Sequence, residues 1–207
     1  MLLLGAAGLV TAMAAPHAFA EIVNPEDVFP VKRLNPKLIK PEFRRTIVPY
    51  AETEWPGTVI VDTEARHLYL VLEGGQAIRY GVGVGRDGFT WAGEAVIGHK
   101  TVWPDWNPPA EMVARDPKAA EWADGMPGGP QNPLGARALY LYANGKDTLY
   151  RIHGTNDPKS IGKNMSSGCI RMLNEDIIDL YRRVTIGSRV IVLGPAEMPA
   201  DIQISGY

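Results

Sequence analysis

Apolar positions along this chain recur in short runs rather than in long helical stripes. The stretch 58–62 (TVIVD) is β-branched and compact, 67–72 (HLYLVL) follows, and after Glu73-Gly74-Gly75 the run 76–84 continues with Ala77, Ile78, Tyr80, Val82 and Val84. Such runs separated by Gly-rich turns predict an antiparallel meander. Further strands are expected over 95–103, 137–142 and 148–153. The last two flank Asn144-Gly145, a pair suited to a type I′ hairpin turn, whose central residues both need positive φ. A final strand is expected at 189–193 (RVIVL). One segment has a clear helical period: Ile177, Leu180, Tyr181 and Val184 form a stripe. Asn174 reads as its N-cap, Glu175 and Asp176 complement the positive helix end, Arg182 and Arg183 the negative end, and Gly187 stops it. The pattern predicts a mostly β, sandwich-like domain with one clear helix.

Two stretches break the pattern. Residues 104–134 are long and irregular, with Pro108-Pro109, Gly128-Gly129-Pro130 and Asn132-Pro133. Short helices fit 109–114 or 116–122. A structured loop of this length either serves function, for instance as a lid, or is a variable surface insertion. Residues 21–56 carry Pro25, Pro30, Pro36, Pro41, Pro49 and Pro56. Proline fixes φ and lacks a backbone donor, so the stretch is read as an extended arm or spacer lying on the domain, with a short helix near 41–47.

The ends carry separate signals. Residues 2–15 are apolar and small, followed by Pro16 and Ala18-Phe19-Ala20. Alanines at −3 and −1 before Glu21 predict a signal peptide cleaved after Ala20, and the run is short for a membrane span. An uncleaved anchor or buried helix is the alternative. No Lys or Arg precedes the run, which points to an atypical start or one lying upstream. No Cys follows it, which excludes a lipoprotein anchor. The expected layout is a signal peptide (1–20), the proline-rich arm (21–56), one folded domain (57–194) and a C-terminal extension (195–207).

Composition narrows the function classes. With 207 residues, 45% of them hydrophobic, the chain can bury one ordinary core. A formal net charge of −2 without a basic cluster argues against nucleic acid and against an anionic membrane patch. Cys169 is the single cysteine, so no disulfide forms within the chain. In an oxidising compartment an unpaired thiol is either buried and inert or used for chemistry.

Its neighbours favour chemistry. The segment from Arg151 to Met172 reads RIHGTNDPKSIGKNMSSGCIRM. His153 ends a predicted strand, and a Gly/Pro/Ser-rich loop can fold back to bring Cys169 beside it. The thiolate is the nucleophile, and an imidazole within hydrogen-bond reach can take the thiol proton. Backbone N–H groups of the 166–169 turn can face a developing oxyanion, and Gly168 admits an extended substrate. Arg171, two residues past Cys169, falls on the same strand face, where a guanidinium can grip a substrate carboxylate. Taken singly, Cys169 reads as a small core residue, His153 as structural and Arg171 as a surface ion pair; their co-occurrence favours a Cys–His site. His67 and His99 lack partners at ligand spacing and read as structural, and no metal site is expected. Trp103, Trp106 and Trp122 either line a groove or pack the loop.

The motif H-G-T…I-G…S-x-G-C-I-R-M, carried by His153, Gly154, Thr155, Ile161, Gly162, Ser167, Gly168, Cys169, Ile170, Arg171 and Met172, resembles the signature of the YkuD-type L,D-transpeptidases. The resemblance extends over about 57–193 and includes the glycines of 81–85 and the 129–135 stretch. It implies a β-rich catalytic domain with Cys169 as nucleophile, His153 as base and the Gly154 carbonyl orienting the ring. Ser167 and Thr155 are expected beside Arg171 on the substrate, and Gly168 at the oxyanion. The implied substrate is a peptidoglycan stem tetrapeptide, cleaved between diaminopimelate and D-Ala. The thioester passes to a second diaminopimelate (a 3→3 cross-link) or to the lysine of a murein-anchored lipoprotein. No cofactor is implied, and the expected location is the periplasm or cell wall. A carboxypeptidase or amidase resolving the same thioester with water is the nearest alternative, and a non-catalytic wall-binding module a more distant one. A thiol redox protein is disfavoured, because a lone Cys has no resolving partner.

Overall fold

The computed structural model describes residues 22–51, 54–85, 92–166 and 168–194. The expected signal peptide and the 195–207 extension lie outside them. The strands are β1 (Thr46–Pro49), β2 (Val59–Asp62), β3 (His67–Leu72), β4 (Gln76–Gly81), β5 (Val84–Gly85), β6 (Gly93–Val102), β7 (Arg137–Ala143), β8 (Lys146–His153), β9 (Asn164–Ser166), β10 (Ile170–Arg171) and β11 (Arg189–Leu193); the helices are α1 (Ala110–Arg115), α2 (Pro117–Ala120) and α3 (Asn174–Arg183). Nine strands form one mixed sheet in the order β1-β4-β3-β2-β11-β6-β7-β8-β10, and β5 pairs with β9 separately.

The meander β2–β3–β4 is antiparallel, as its Gly-rich turns require, and so is the run β6–β7–β8. The β7–β8 turn has φ of 51° at Asn144 and 73° at Gly145, the two left-handed residues of a type I′ turn. β11 joins the two runs, parallel to β2 and antiparallel to β6.

Laid flat, β4 and β8 would stand roughly 29 Å apart at the usual strand spacing. Tyr80 of β4 and Ile152 of β8 nevertheless belong to one buried cluster, with Met172 and α3 residues Ile177 and Leu180. The sheet therefore curls around α3, giving the sandwich-like enclosure. Gly83 closes the curl. Its N–H donates to the Arg171 carbonyl (2.9 Å) and the Arg171 N–H donates back (2.8 Å), joining the chain beyond β4 to the opposite edge strand. A side chain at 83 would run into the Ser160 carbonyl at 2.6 Å, which is why a glycine sits there. This detour also splits the strand expected over 76–84.

The described part of the proline-rich 21–56 stretch packs closely. Pro36 and Pro41 open 3₁₀ turns, at Pro36–Leu38 and Pro41–Phe43. The helix expected near 41–47 stops at Phe43; Thr46 begins β1, an edge strand on β4. Ile39, Phe43 and Leu34 pack with Ile161 and Leu173. Asp27 receives a bidentate pair from buried Arg137 (2.6 and 2.9 Å) and the Trp103 indole N–H (3.0 Å). Trp103 thus anchors the arm, and it also lines a surface pocket with Asp27, Phe29 and Val102. In the 104–134 loop both anticipated helices form, as α1 and α2.

Helix α3 differs at its start. The N-cap position is Leu173, and Asn174 lies one residue inside without capping. Its side chain bonds elsewhere, to Ala136 and Thr155.

Candidate active site

Pairing of β8 with β10 builds the site. The strands are parallel, with Ile170 opposite Ile152 and Arg171 opposite His153. Both isoleucines are fully buried in the core. Alternation along the strands then puts Arg151, His153 and Arg171 on the other face, with Cys169, just before β10, beside Arg151. The electrostatics agree, since both arginines act on the His153 ring and on the Cys169 thiol. Folding thus closes the 153–169 loop onto itself and brings the two groups to one face.

His153 is buried, and its Nδ1 donates to the Gly154 carbonyl at 2.6 Å. A carbonyl only accepts, so this bond selects the Nδ1–H tautomer and leaves Nε2 with a lone pair. Burial pulls the ring pKa down to about 4, the positive charge of Arg171 adding to it against the backbone carbonyls of Gly154 and Leu134. Near neutral pH the imidazole is uncharged and able to accept a proton. Cys169 is partly exposed at its surface. Burial of its sulfur pushes the thiol pKa up, while a backbone hydrogen bond from Arg151 and the charges of Arg151 and Arg171 hold it down. At rest the thiol and the imidazole on this face are both neutral, and the charges of Arg151 and Arg171 act on the sulfur. Such a pair can perform nucleophilic acyl transfer with proton shuttling.

Gly168 has φ of 119°, a left-handed value that a side chain would strain, and the Tyr150 ring stands 3.3 Å from where a Cβ would be. The turn before the sulfur therefore requires glycine. Thr155 is placed differently from the expectation of a substrate contact. It is 3% exposed, and its hydroxyl accepts the Asp157 N–H at 3.0 Å. Its side chain holds the turn after His153. Ser167 lies outside the described residues. His67 and His99 have structural partners: His67 Nε2 donates to the Glu42 carbonyl at 2.9 Å, and His99 pairs with the Thr101 hydroxyl at 2.8 Å.

Arg151 was not singled out from the sequence, yet it acts on Cys169 through its backbone and its charge. Its guanidinium is held by both oxygens of Asp147 (2.7 and 2.8 Å) and lies over the Tyr140 ring (4.3 Å). The available signal was its place two residues before His153 on a strand, hence on the same face.

Comparison with known proteins gives the family. Residues 56–192 match YkuD, the L,D-transpeptidase catalytic domain. The probable L,D-transpeptidase YbiS of Escherichia coli K12 is 36% identical over 144 residues, covering 67% of this chain and 45% of that protein. The putative L,D-transpeptidase YqjB of Bacillus subtilis 168 is 35% identical over 150 residues, covering 70% of this chain and 77% of that one. A Brucella melitensis crystal structure described as a probable carnitine operon oxidoreductase is 48% identical, with a TM-score of 0.51 over 77% of this chain and 99% of that chain. The matched stretch spans less than half the length of YbiS. With the catalytic-domain match running over most of the described residues and carrying both Cys169 and His153, this chain belongs to the YkuD L,D-transpeptidase catalytic-domain family.

Proposed function

We propose that this chain is an exported peptidoglycan L,D-transpeptidase acting through Cys169 and His153. The observation that carries the reading is the parallel β8–β10 register, which sets the only thiol on the face of a histidine whose Nδ1 is tied to the Gly154 carbonyl. His153 Nε2 takes the Cys169 proton as the sulfur attacks the carbonyl of the L-centre of diaminopimelate in a stem tetrapeptide. The oxyanion faces the backbone N–H groups of the Gly168–Cys169 turn. Collapse breaks the C–N bond; the D-Ala amine leaves with the proton from His153, and a thioester remains. An acceptor amine then attacks the thioester, losing its proton to the base, and the thiol re-forms.

Arg171 and Ser167 are assigned to the donor peptide, Arg171 to a carboxylate. The chemistry needs no cofactor. Export rests on the 1–20 signal pattern; among the described residues no helix is long and apolar enough to cross a membrane.

The test is incubation of the purified protein with a tetrapeptide-bearing disaccharide, with and without excess amine acceptor, followed by mass analysis. Release of D-Ala with a 3→3 dimer is expected. A tripeptide product alone, even with acceptor present, assigns a carboxypeptidase instead. Product formation that survives Cys169→Ala overturns both.

A further inference from the structure

The segment after Cys169 also grips the chain that follows the histidine. The Met172 N–H donates to the His153 carbonyl at 2.8 Å, which fixes the peptide after the imidazole. The Gly154 N–H of that peptide donates to the Arg137 carbonyl at 3.0 Å. The next peptide joins Gly154 to Thr155, and its Thr155 N–H donates to Asn174 Oδ1 at 3.2 Å. The same oxygen accepts the Ala136 N–H at 2.9 Å.

Planarity makes the third of these bonds consequential. In a trans peptide the C=O and the N–H point in opposite directions from one rigid plane. Fixing the Thr155 N–H on Asn174 therefore aims the Gly154 C=O the other way, where it accepts from His153 Nδ1 at 2.6 Å. Glycine at 154 would otherwise leave this plane free to rotate. No side chain at 154 or 135 can take over the duty. A Cβ at Gly154 would overlap Asn174 Oδ1 and approach the Ala136 nitrogen to 2.9 Å; one at Gly135 would lie 2.5 Å from the Thr155 nitrogen.

We propose that Asn174 is a positioning residue for catalysis: its side-chain oxygen pins the 154–155 peptide, so that the Gly154 carbonyl holds the His153 ring in one tautomer with Nε2 ready for the Cys169 proton. The proposal rests on the Cys169/His153 reading above. Asn174 touches neither reacting atom and acts through the peptide. Its place inside α3, rather than at the cap, follows from this longer-range duty.

The experiment compares the full chain with Asn174→Ala, Asn174→Asp and Cys169→Ser. Two readouts are used. The first is the pH dependence of alkylation by iodoacetamide, in which an Sγ–carbon bond forms, iodide leaves and the thiol proton passes to the imidazole; it is followed by intact mass. The second is the ¹⁵N shifts of the His153 ring, which report the tautomer. Asn174→Ala is expected to slow alkylation near pH 7 by about 100-fold and to give mixed-tautomer shifts. Asn174→Asp keeps an oxygen for both N–H groups. It is expected to retain the Nδ1–H signature and the plateau rate, with the acid limb moved to higher pH by the added negative charge.

Near-ultraviolet circular dichroism verifies folding of each variant. If the alanine variant does not fold, Asn174→Asp decides alone: loss of the Nδ1–H signature in a folded protein overturns the proposal. Wild-type rate, pH profile and ring shifts in a folded Asn174→Ala also overturn it while leaving the Cys–His reading intact. Alkylation of the wild type without any acid limb, or ring shifts showing Nε2 protonated, instead breaks the underlying reading.

Discussion

Replacing Phe43 by alanine should destabilise the domain far more than a residue in a loose arm would. Phe43 is 8% exposed and packs against two glycines that leave room for its ring. A Cβ on Gly81 would come within 2.6 Å of Phe43 Cβ, and one on Gly162 within 2.2 Å of the ring. The remaining neighbours include the His67 ring at 5.5 Å and the Ile39, Ile161 and Leu173 side chains. Sheet backbone at Gly81 cannot move in to fill the space, so the cavity persists. The loss should fall in the middle of the range for a buried Phe→Ala change, about 4 kcal/mol. For a domain of this size that lowers the Tm by roughly 8–16 °C. Gly162 lies in the loop between His153 and Cys169, so the loosening should also reach Cys169. Hydrogen exchange at 158–166 should accelerate more than at β2 or β3. Differential scanning calorimetry and exchange mass spectrometry measure both. A stability loss below about 1 kcal/mol with unchanged exchange in the loop would show that the 22–51 stretch only rests on the surface.

Other outcomes follow from the same structure. Asp27→Ala leaves the buried Arg137 guanidinium without its bidentate partner and should cost about 3–5 kcal/mol in urea unfolding; Trp103 fluorescence, reporting the lost indole bond, should change with it. Asp176 is 2% exposed, and burial raises its carboxyl to about 7 despite Arg45. The folded state therefore holds this proton more tightly than the unfolded chain, and stability falls as pH rises from about 4 through 7. Asn at 176 removes that slope, so Asp176→Asn should raise the Tm relative to wild type at pH 8 and give no gain at pH 4. Because burial lowers His153 to about 4, the rate of Cys169 alkylation should stay level from about pH 5 to 8 and fall only near pH 4, where the base takes up a proton; an inflection near 6.5 in a pH series would contradict a buried neutral imidazole.

Much of the frame was legible without coordinates. Alternating apolar and β-branched residues marked most of the sheet, because side chains on a strand must divide between two faces whatever their partners are. Asn144-Gly145 announced its turn because few other residue pairs tolerate two positive φ values. The motif from His153 to Met172 marked one thiol and one imidazole as candidates by residue type and order. Asn174 shows where local reading stops. A polar residue opening a helix resembles a cap, and nothing nearby in the chain reveals that its oxygen is claimed by Ala136 and Thr155, 38 and 19 residues earlier. Arg151 and the arm were obscured for the same reason. Arg151 reaches Cys169 only because β10 pairs parallel to β8, and Phe43 reaches Gly162 only because the sheet curls closed at Gly83 and Arg171. Backbone propensity and side-chain chemistry are written residue by residue and survive in the sequence. Which donor meets which acceptor depends on strand order and curvature, and those exist only after the whole sheet has assembled.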